Sequence, residues 1–394
     1  EEAKRFTPDL EVEAHLGPNR KSDPEELRQA DLVLTTYAIL RLEAEKLGRI
    51  RLDCAMLDES QAIKNSSSKT FRAAKTLQAD NRLCLTGTPL ENRLSELWSQ
   101  MDFLNPGLLR SLDRFERTLA GPASKGDSRA QESLRRLVKP FILRRSKEQV
   151  APELPEKSEH TLTCPMQAGQ SSLYQRVRDH YRAEVLQAAD TEGINRSKMK
   201  VLEGLLRLRQ IACHPGLVDQ ESSDSGKMEK LRELVREARS GNRKALIFSQ
   251  YTKLLGLIRK EFQLEGTPCL YLDGRTPHKR RMERVQSFQE AEGSCFFLIS
   301  LKAGGTGLNL TAADYVFLLD PWWNPAVEMQ AVDRTHRIGQ EKTVFTYRLI
   351  SRGSVEEKVL TLQQRKQQMV SSVLSGSNDM IKNLTRRDLE HLFS

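Results

Sequence analysis

The sequence predicts an α/β protein made of two parallel-sheet units joined by a helical segment. Short β-branched or aliphatic runs alternate with longer helical patterns in both outer parts of the chain, while the middle is charged and helix-rich. Such alternation is typical of βαβ units, whose strands form a parallel sheet covered by helices. The 394 residues suffice for two or three domains that each bury a core. We expect the first unit over 1–108, helical insertions and a linker over 109–228, and the second unit over 229–394.

The strands of each unit are predicted from short apolar runs. In the first unit they cover 31–37, 52–58 and 82–88, and the serine-rich start of "SSSKTFRAAKTLQA" predicts a capped helix between the last two. The second unit has five such runs, 245–250, 269–274, 295–300, 314–320 and 344–350. Amphipathic spacing predicts a long helix that begins near Ser354 and braces the fold.

Composition excludes several classes of protein. The chain has no run of about 18 apolar residues, so no membrane-spanning helix is predicted. Its first residues, "EEAKRFTPDL", do not resemble a signal peptide. Six scattered cysteines without a C-x-x-C pair predict reduced thiols and argue against a zinc site.

The charge of the chain favours a polyanionic partner. Its formal net charge is +9, and basic residues cluster in 135–147 and 275–284. Nucleic acid is the usual partner of such clusters, because concentrated charge creates a local field that dispersed charge does not. A charged surface that serves only solubility remains the alternative.

Two adjacent carboxylates, Asp58 and Glu59, follow the strand at 52–58. In an open α/β sheet, ligands bind at the carboxyl ends of the strands. One carboxylate can hold Mg²⁺ through its water shell beside substrate phosphates, and the other can orient or deprotonate an attacking water. Thr86, at the end of the next strand, adds a hydroxyl. Solvated turns would also account for these residues.

The second unit contains two features that suit an anion. The segment 298–310 follows a strand and contains three glycines, whose backbone N–H groups could contact phosphate. Farther along, Gln330, Arg334 and Arg337 are spaced by four and three residues, so they share one face if the stretch from Pro325 is helical. Paired guanidinium groups suit phosphate binding, although a solvated helical face is the simpler alternative. An acid pair and an arginine pair on separate units predict a nucleotide held between those units.

Several segments, taken in order, resemble the helicase-like motifs of the Swi/Snf-related translocases of helicase superfamily two. The segments are "LDESQAIKN", "LTGTPLENRLSELWSQMDFLNPGLL", "LRR", "CHPGL", "IFSQY", "LDG", "SLKAGGTGLNLTAADYV" and "DPWWNPAVEMQAVDRTHRIGQ". The resemblance implies two RecA-like lobes and ATP hydrolysis stimulated by double-stranded DNA. It also implies movement along DNA without full strand separation. The short insertions and the ending "TRRDLEHLF" look more similar to bacterial and archaeal members than to chromatin remodellers.

The resemblance also assigns roles to particular residues. It implies that Asp58 holds Mg²⁺, that Glu59 is the catalytic base, and that Arg334 and Arg337 are arginine fingers. The other residues that it places near ATP are Gln61, Gln330, Gly305 and Gly307. Those that it places along the DNA backbone are Thr35, Thr36, Lys64, Asn65, Ser249, Gln250, Asp273, Gly274, Lys302, Ala303 and Gly304. The contacts implied are with phosphates and not with bases.

One expected motif is missing. The sequence contains no G-x-x-x-x-G-K-[ST] loop, which in such enzymes binds the β and γ phosphates of ATP. We therefore expect an amino-terminally truncated chain whose first lobe is incomplete, with an exposed sheet edge that favours aggregation. We also expect the chain alone to bind ATP poorly and to hydrolyse little of it.

Two other functions remain open, a non-catalytic DNA-binding module and a superfamily-two helicase that acts on RNA. Residue chemistry does not separate DNA from RNA here. The resemblance implies double-stranded DNA as the main partner, with a DNA-bound protein or a polymerase as a further one and no membrane. It further implies a cytoplasmic, nucleoid-associated location in a bacterium or archaeon.

Overall fold

The computed structural model describes most of the chain as two compact units. The described residues are 2–21, 23–87, 94–124, 126–143, 145, 147–191, 194–219, 222, 224–304, 308–361 and 363. The first unit contains those up to Leu143, and the second unit contains those from Arg145 onward. Both are built from parallel strands and helices, so the predicted α/β class is confirmed.

Over its described residues, the first unit has four strands in two parallel pairs. The strands are β1 (Val12–Ala14), β2 (Leu32–Leu34), β3 (Arg51–Leu57) and β4 (Gln78–Cys84), and β1 pairs with β2 while β3 pairs with β4. The helices are α1 (Glu2–Phe6), α2 (Pro24–Leu27), α3 (Tyr37–Leu42), α4 (Ala44–Leu47), α5 (Lys69–Thr76), α6 (Leu94–Leu104), α7 (Leu112–Phe115), α8 (Gly121–Ser124) and α9 (Ser128–Val138). Shorter turns of helix are Ser60–Ile63, Glu116–Ala120 and Lys139–Phe141.

Side-chain caps set where several of these helices begin. The Thr36 hydroxyl accepts a hydrogen bond from the backbone N–H of Ile39, and the Ser68 hydroxyl accepts one from that of Phe71. Asp127 caps α9 in the same way. Such caps satisfy N–H groups that have no partner within the helix. The serine cap predicted before α5 is therefore confirmed.

One face of the β3–β4 pair is covered and the other is exposed. Ala55 and Leu57 on β3 point into the core of the unit. On the opposite face, the side chains of Met56 and Leu83 are 62% and 42% exposed, and these two residues are paired in register. Parallel sheets usually have both faces covered, so an exposed apolar face is unusual for this architecture. Aggregation through an open sheet edge stays a prediction.

In the part of the second unit that the structure describes, six strands form a parallel sheet with strand order β5-β10-β9-β6-β8-β7. The strands are β5 (Lys157–Cys164), β6 (Ala245–Ser249), β7 (Cys269–Leu272), β8 (Phe296–Ser300), β9 (Tyr315–Leu318) and β10 (Val344–Ser351). The helices are α10 (Lys147–Val150), α11 (Ala168–Thr191), α12 (Ile194–Cys213), α13 (Gly226–Ser240), α14 (Thr252–Leu264), α15 (His278–Glu290), α16 (Leu301–Gly304) and α17 (Pro325–Val332). A 3₁₀ turn covers Pro215–Leu217, and residues 355–361 are helical.

Strand β5 differs from the prediction, which assigned its residues to a helical linker. All eight of its residues pair in parallel with β10 at the edge of the second sheet. An edge strand faces solvent along one side and tolerates polar residues such as those of "KSEHTLTC". Its sequence therefore lacks the continuous apolar run that marks the buried strands β6 and β8.

The central strands position the loops that follow them. Every residue of β6 and β8 is buried, as expected for parallel strands covered on both faces. Because the strands are parallel, the loops after β7, β8, β6 and β9 leave the sheet at one edge. The second-unit residues assigned to DNA or nucleotide lie at or after the ends of those four strands.

Candidate nucleotide and nucleic-acid sites

The acid pair lies where β3 ends, beside the end of β4. The Leu85 N–H donates to the Leu57 carbonyl over 2.8 Å, and the Ser60 N–H donates to the Leu85 carbonyl over 2.9 Å. The chain between these bonds turns sharply, and Glu59 adopts left-handed backbone angles (φ 47°, ψ 51°). A non-glycine residue rarely adopts this conformation, and strained residues of this kind cluster at functional sites.

A chain of hydrogen bonds connects the two strand ends. The Gln61 amide donates from Nε2 to Glu59 Oε2 over 2.7 Å, and its Oε1 accepts from the Thr86 hydroxyl over 2.8 Å. Gln61 therefore holds the Glu59 carboxylate in one orientation while Thr86 holds the amide. The structure thus brings Glu59 and Gln61, both assigned from sequence, together with Thr86.

Asp58 presents its carboxylate differently. It is exposed, and its Oδ1 accepts the Glu59 N–H over 2.9 Å. Mg²⁺ binds proteins through one or two carboxylates and keeps several waters, so an exposed single aspartate suits a hydrated ion. Glu59 is half-buried and already bonded to Gln61, which suits a group that orients water. The two carboxylates therefore fit the two roles assigned to them.

Tyr37 also contacts the acid pair, although sequence analysis gave it no role. Its hydroxyl donates to the Asp58 carbonyl over 2.7 Å. Burial, together with Cys84 and the two carboxylates, raises the pKa of Tyr37 above its ordinary value. Burial also raises the pKa of Cys84 to about 11. The phenol therefore stays protonated at neutral pH and holds the backbone of Asp58 in place.

Thr35, Thr36 and Asn65, three of the first-unit residues assigned to DNA, make side-chain contacts with nearby residues. The Thr35 hydroxyl donates to the His15 carbonyl, and Thr36 caps α3. The Asn65 side chain accepts from the N–H and the hydroxyl of Ser67. Lys64 is half-buried. Thr35, Thr36 and Asn65 are exposed, so they are accessible to a ligand even though their side chains also stabilise turns.

Helix α17 ends earlier than the one-face expectation for Gln330, Arg334 and Arg337 required. It stops at Val332, so Gln330 is helical while both arginines lie in the turns that follow. The Thr335 hydroxyl donates to the Val332 carbonyl over 2.7 Å. This bond and the tighter backbone bonds after Ala331 replace the regular helical pattern. The expectation of one shared helical face was therefore wrong.

Other parts of the second unit hold this arginine turn, which we define as residues 333–340. Lys147 Nζ donates to Asp333 Oδ1 and to the His336 carbonyl, each over 2.7 Å. The Gln340 side chain donates to the carbonyls of Thr311, Ala313 and Thr335. Arg337 itself is exposed, whereas Arg334 is half-buried.

The remaining assigned residues lie at the carboxyl edge of the second sheet with different exposure. Gly274 and Lys302 are exposed. Ser249 is buried and accepts the Tyr251 N–H, and Ala303 is also buried, so neither side chain reaches the surface. The Gln250 N–H donates to the Asp320 carboxylate. Gly304 ends α16, and Gly305 and Gly307 lie outside the described residues.

Asp273 is a turn residue whose carboxylate is already bonded. Its oxygens accept the Arg275 N–H and the hydroxyls of Thr276 and Tyr271. Burial opposes the charged form, but these hydrogen bonds hold the pKa of Asp273 below its ordinary value. A negative carboxylate repels phosphate, so only the backbone of this turn suits a DNA contact.

Sequence analysis also missed a buried ion pair near the loop between β9 and α17, which we call the Asp320 loop. Lys227 Nζ lies 2.6 Å from Glu356 Oε2 and donates to the Leu319 carbonyl over 2.7 Å. Both charged side chains are buried, at 3% and 0% exposure. Burial alone would lower the pKa of Lys227, but neighbouring Cys213 and Glu356 raise it above its ordinary value. A single lysine in the sequence carries no signal of such a partner 129 residues away.

Comparisons with known proteins assign the fold and these motifs to one family. Residues 1–217 match the SNF2-related domain, and residues 226–339 match the helicase conserved C-terminal domain. A Bacillus subtilis protein named as an ATP-dependent helicase/translocase, YwqA, is 39% identical over 100% of this chain. The human SWI/SNF-related matrix-associated actin-dependent regulator of chromatin subfamily A member 1 is 34% identical over 95% of it.

A solved structure shows the same relationship. The Sulfolobus solfataricus SWI2/SNF2 ATPase core in complex with dsDNA is 34% identical, with a TM-score of 0.50 over 99% of this chain and 82% of that one. The chain belongs to the SNF2-related helicase family. It spans 43% of the length of YwqA and 37% of that of the human relative. Among the described residues, no helix is long and apolar enough to cross a membrane.

Proposed function

We propose that this chain carries most of the motor of an ATP-dependent translocase that moves along double-stranded DNA. The hydrogen-bonded chain from Glu59 through Gln61 to Thr86, at the ends of two adjacent parallel strands, is the observation that carries this proposal. Ligands bind at such strand ends in α/β proteins. The dsDNA named for the solved relative supports the choice of substrate.

In this proposal the first unit supplies the acid pair for ATP hydrolysis. The exposed Asp58 would hold Mg²⁺, and Glu59, fixed by Gln61, would orient the attacking water and accept its proton. Mg²⁺ would supply positive charge against the oxygens of the transferred phosphate. Because Gln61 also bonds to Thr86, a shift of the β4 end would change the position of Glu59. Phosphate chemistry and movement of the chain would thereby be coupled.

The second unit would supply positive charge to the same nucleotide. Arg334 and Arg337 would act as arginine fingers, since guanidinium groups are always charged and match phosphate oxygens. Gln330, Gly305 and Gly307 would contact the nucleotide beside them. The exposure of Arg337 supports this role, because a buried arginine could not meet a ligand.

DNA would be held through its phosphates. In the second unit the exposed Gly274 and Lys302 follow neighbouring strands at one sheet edge, which suits a backbone-following groove. The first unit would contribute Thr35, Thr36, Lys64 and Asn65. Affinity should therefore fall steeply with salt and depend little on base sequence. Fluorescence anisotropy with two unrelated DNA duplexes tests this expectation. The salt concentration is varied from about 50 to about 200 mM, the range over which binding through phosphates weakens strongly.

The sequence contains no phosphate-binding loop, and in this proposal that limits ATP hydrolysis by the isolated chain. Without the backbone amides and lysine of that loop, ATP would bind poorly and be hydrolysed little. The same absence favours a second candidate for the isolated chain, a DNA-binding module without catalysis. ATP turnover by the purified chain, with and without duplex DNA, separates the two. DNA-stimulated turnover at a normal enzymatic rate would contradict the proposed inactivity.

The catalytic assignment is tested in a longer version of the chain that carries a phosphate-binding loop. We expect Glu59→Gln to lower kcat by at least about a hundredfold, since general bases contribute about 10² to 10⁴ in rate. DNA affinity should remain unchanged. Glu132→Gln, which removes an exposed carboxylate paired with Arg136 on α9, is the control. Equal rates for the two variants would overturn the assignment of Glu59.

A further inference from the structure

Lys147 contacts the arginine turn at two points that flank its first arginine. The Lys147 ammonium donates to Asp333 Oδ1 and to the His336 carbonyl, both over 2.7 Å. Asp333 immediately precedes Arg334, and His336 immediately precedes Arg337. One ammonium group therefore spans the backbone around Arg334 and ends at the peptide bond that precedes Arg337.

A second contact connects the same two segments. The His336 ring donates from Nε2 to the Pro155 carbonyl over 2.8 Å. Lys147 and Pro155 both belong to the stretch that begins the second unit, just after the boundary at Leu143. We define residues 147–155 as the entry segment. Lys147 of the entry segment thus bonds to the arginine turn, and His336 of the arginine turn bonds to the entry segment. The partners of these bonds are more than 180 residues apart in the sequence.

The Lys147–Asp333 ion pair contributes little to the global stability of the chain. The two side chains are 37% and 42% exposed, and ion pairs at such exposure contribute little to the free energy of unfolding. The bond to the His336 carbonyl acts differently, because it occupies a backbone acceptor within a turn. Its effect is to restrict one local backbone conformation.

We infer that Lys147 is a positioning residue that fixes the arginine turn and couples it to the entry segment. The functional consequence rests on the proposed function, in which Arg334 and Arg337 face the nucleotide. A displacement of the entry segment moves Asp333 and the His336 carbonyl, and with them both guanidinium groups. Lys147 therefore makes the positions of both guanidinium groups depend on the position of the entry segment.

Hydrogen exchange of the intact chain tests the positioning directly. We expect Lys147→Met to speed amide exchange within 333–340 at least fivefold while the urea midpoint stays unchanged. Lys147→Arg, which keeps a charged donor, should restore most of the protection. Lys230→Met is the matched control, because Lys230 forms an ion pair of 2.6 Å with Glu233 at 40% exposure away from this turn. Exchange in 333–340 that is the same in wild type and Lys147→Met would overturn the inference.

A kinetic measurement separates this inference from the proposed function. In the longer version with a phosphate-binding loop, we expect Lys147→Met to lower kcat about tenfold with KM unchanged. If the longer version with Lys147 intact hydrolysed no ATP, the proposed function would be contradicted, while the exchange result would still decide the positioning. Faster exchange with an unchanged kcat would show that the turn is fixed for a reason other than hydrolysis, and would overturn the coupling.

Discussion

Replacing Lys227 with methionine tests whether the buried ion pair holds the Asp320 loop. The substitution keeps the length of the side chain but leaves Glu356 charged and buried, with the Ser351 N–H bonded to its Oε2 and the Cys213 thiol 3.7 Å from its Oε1. It also leaves the Leu319 carbonyl without the lysine donor. Breaking one partner of a buried pair costs about 3 to 5 kcal/mol, a large part of the roughly 5 to 15 kcal/mol that stabilises a domain.

A double variant, Lys227→Met with Glu356→Gln, divides this cost into its parts. The glutamine removes the unpaired charge, so the main loss that remains is the lysine bond to the Leu319 carbonyl, which the Cys213 thiol still contacts over 3.7 Å. Leaving a buried polar group without its main partner costs at most about 1 to 3 kcal/mol. We therefore expect the double variant to be more stable than the single one, although it carries one more substitution.

Urea unfolding followed by tryptophan fluorescence measures both variants. A Trp98→Phe background removes the tryptophan of the first unit and leaves Trp322 and Trp323 beside the loop. The signal then reports the second unit alone, which matters because two units need not unfold together. A single variant that loses less than about 1 kcal/mol, or a double variant that is no more stable than the single one, would refute this account of the buried pair.

Three further predictions concern packing, pH and catalysis. Gly204→Ala should destabilise the chain by about 1 to 3 kcal/mol, because the new Cβ would lie 2.8 Å from the Tyr181 ring. Gly256→Ala on α14 is the matched variant, since its Cβ would meet nothing within 4 Å, and it should stabilise the chain by up to about 1 kcal/mol. Burial raises the pKa of Cys84 to about 11, so at high pH the native state keeps a thiol proton that the unfolded state releases. The free energy of unfolding should therefore fall as the pH rises from about 9 towards 11. Arg337→Ala in the longer version should slow hydrolysis and leave DNA affinity nearly intact.

The measurements for these predictions are direct. Thermal unfolding compares the two glycine variants, and equal shifts would contradict the close approach of α11 and α12. Urea unfolding is measured from about pH 8 to about pH 11, the range in which the Cys84 thiol titrates. The free energy of unfolding should decline less steeply with pH for Cys84→Ala than for wild type. Identical slopes would remove Cys84 as a cause. A large loss of DNA affinity in Arg337→Ala, measured by anisotropy, would mean that this arginine contacts DNA and not the nucleotide.

Local sequence determined the α/β class and the carboxyl-end location of the acid pair. The strands β6 and β8 are buried on both faces, so each appears in the sequence as a continuous apolar run. Asp58 and Glu59 could be assigned to a strand end because the apolar run before them stops there. Their roles, and those of Arg334 and Arg337, remain predictions that came from spacing and from resemblance to a family.

Only the tertiary structure decided which residues support those groups. The polar strand β5 joins the sheet through backbone pairing with β10, which side-chain patterns do not reveal. Helix α17 ends at Val332 although no proline or glycine follows immediately, because the Thr335 hydroxyl and tighter backbone bonds replace the helical pattern. Lys147 and Gln340 then occupy carbonyls of the turn. Lys227 meets Glu356 across 129 residues of sequence. Periodicity and composition describe neighbours along the chain, whereas these partners become neighbours only when the chain folds.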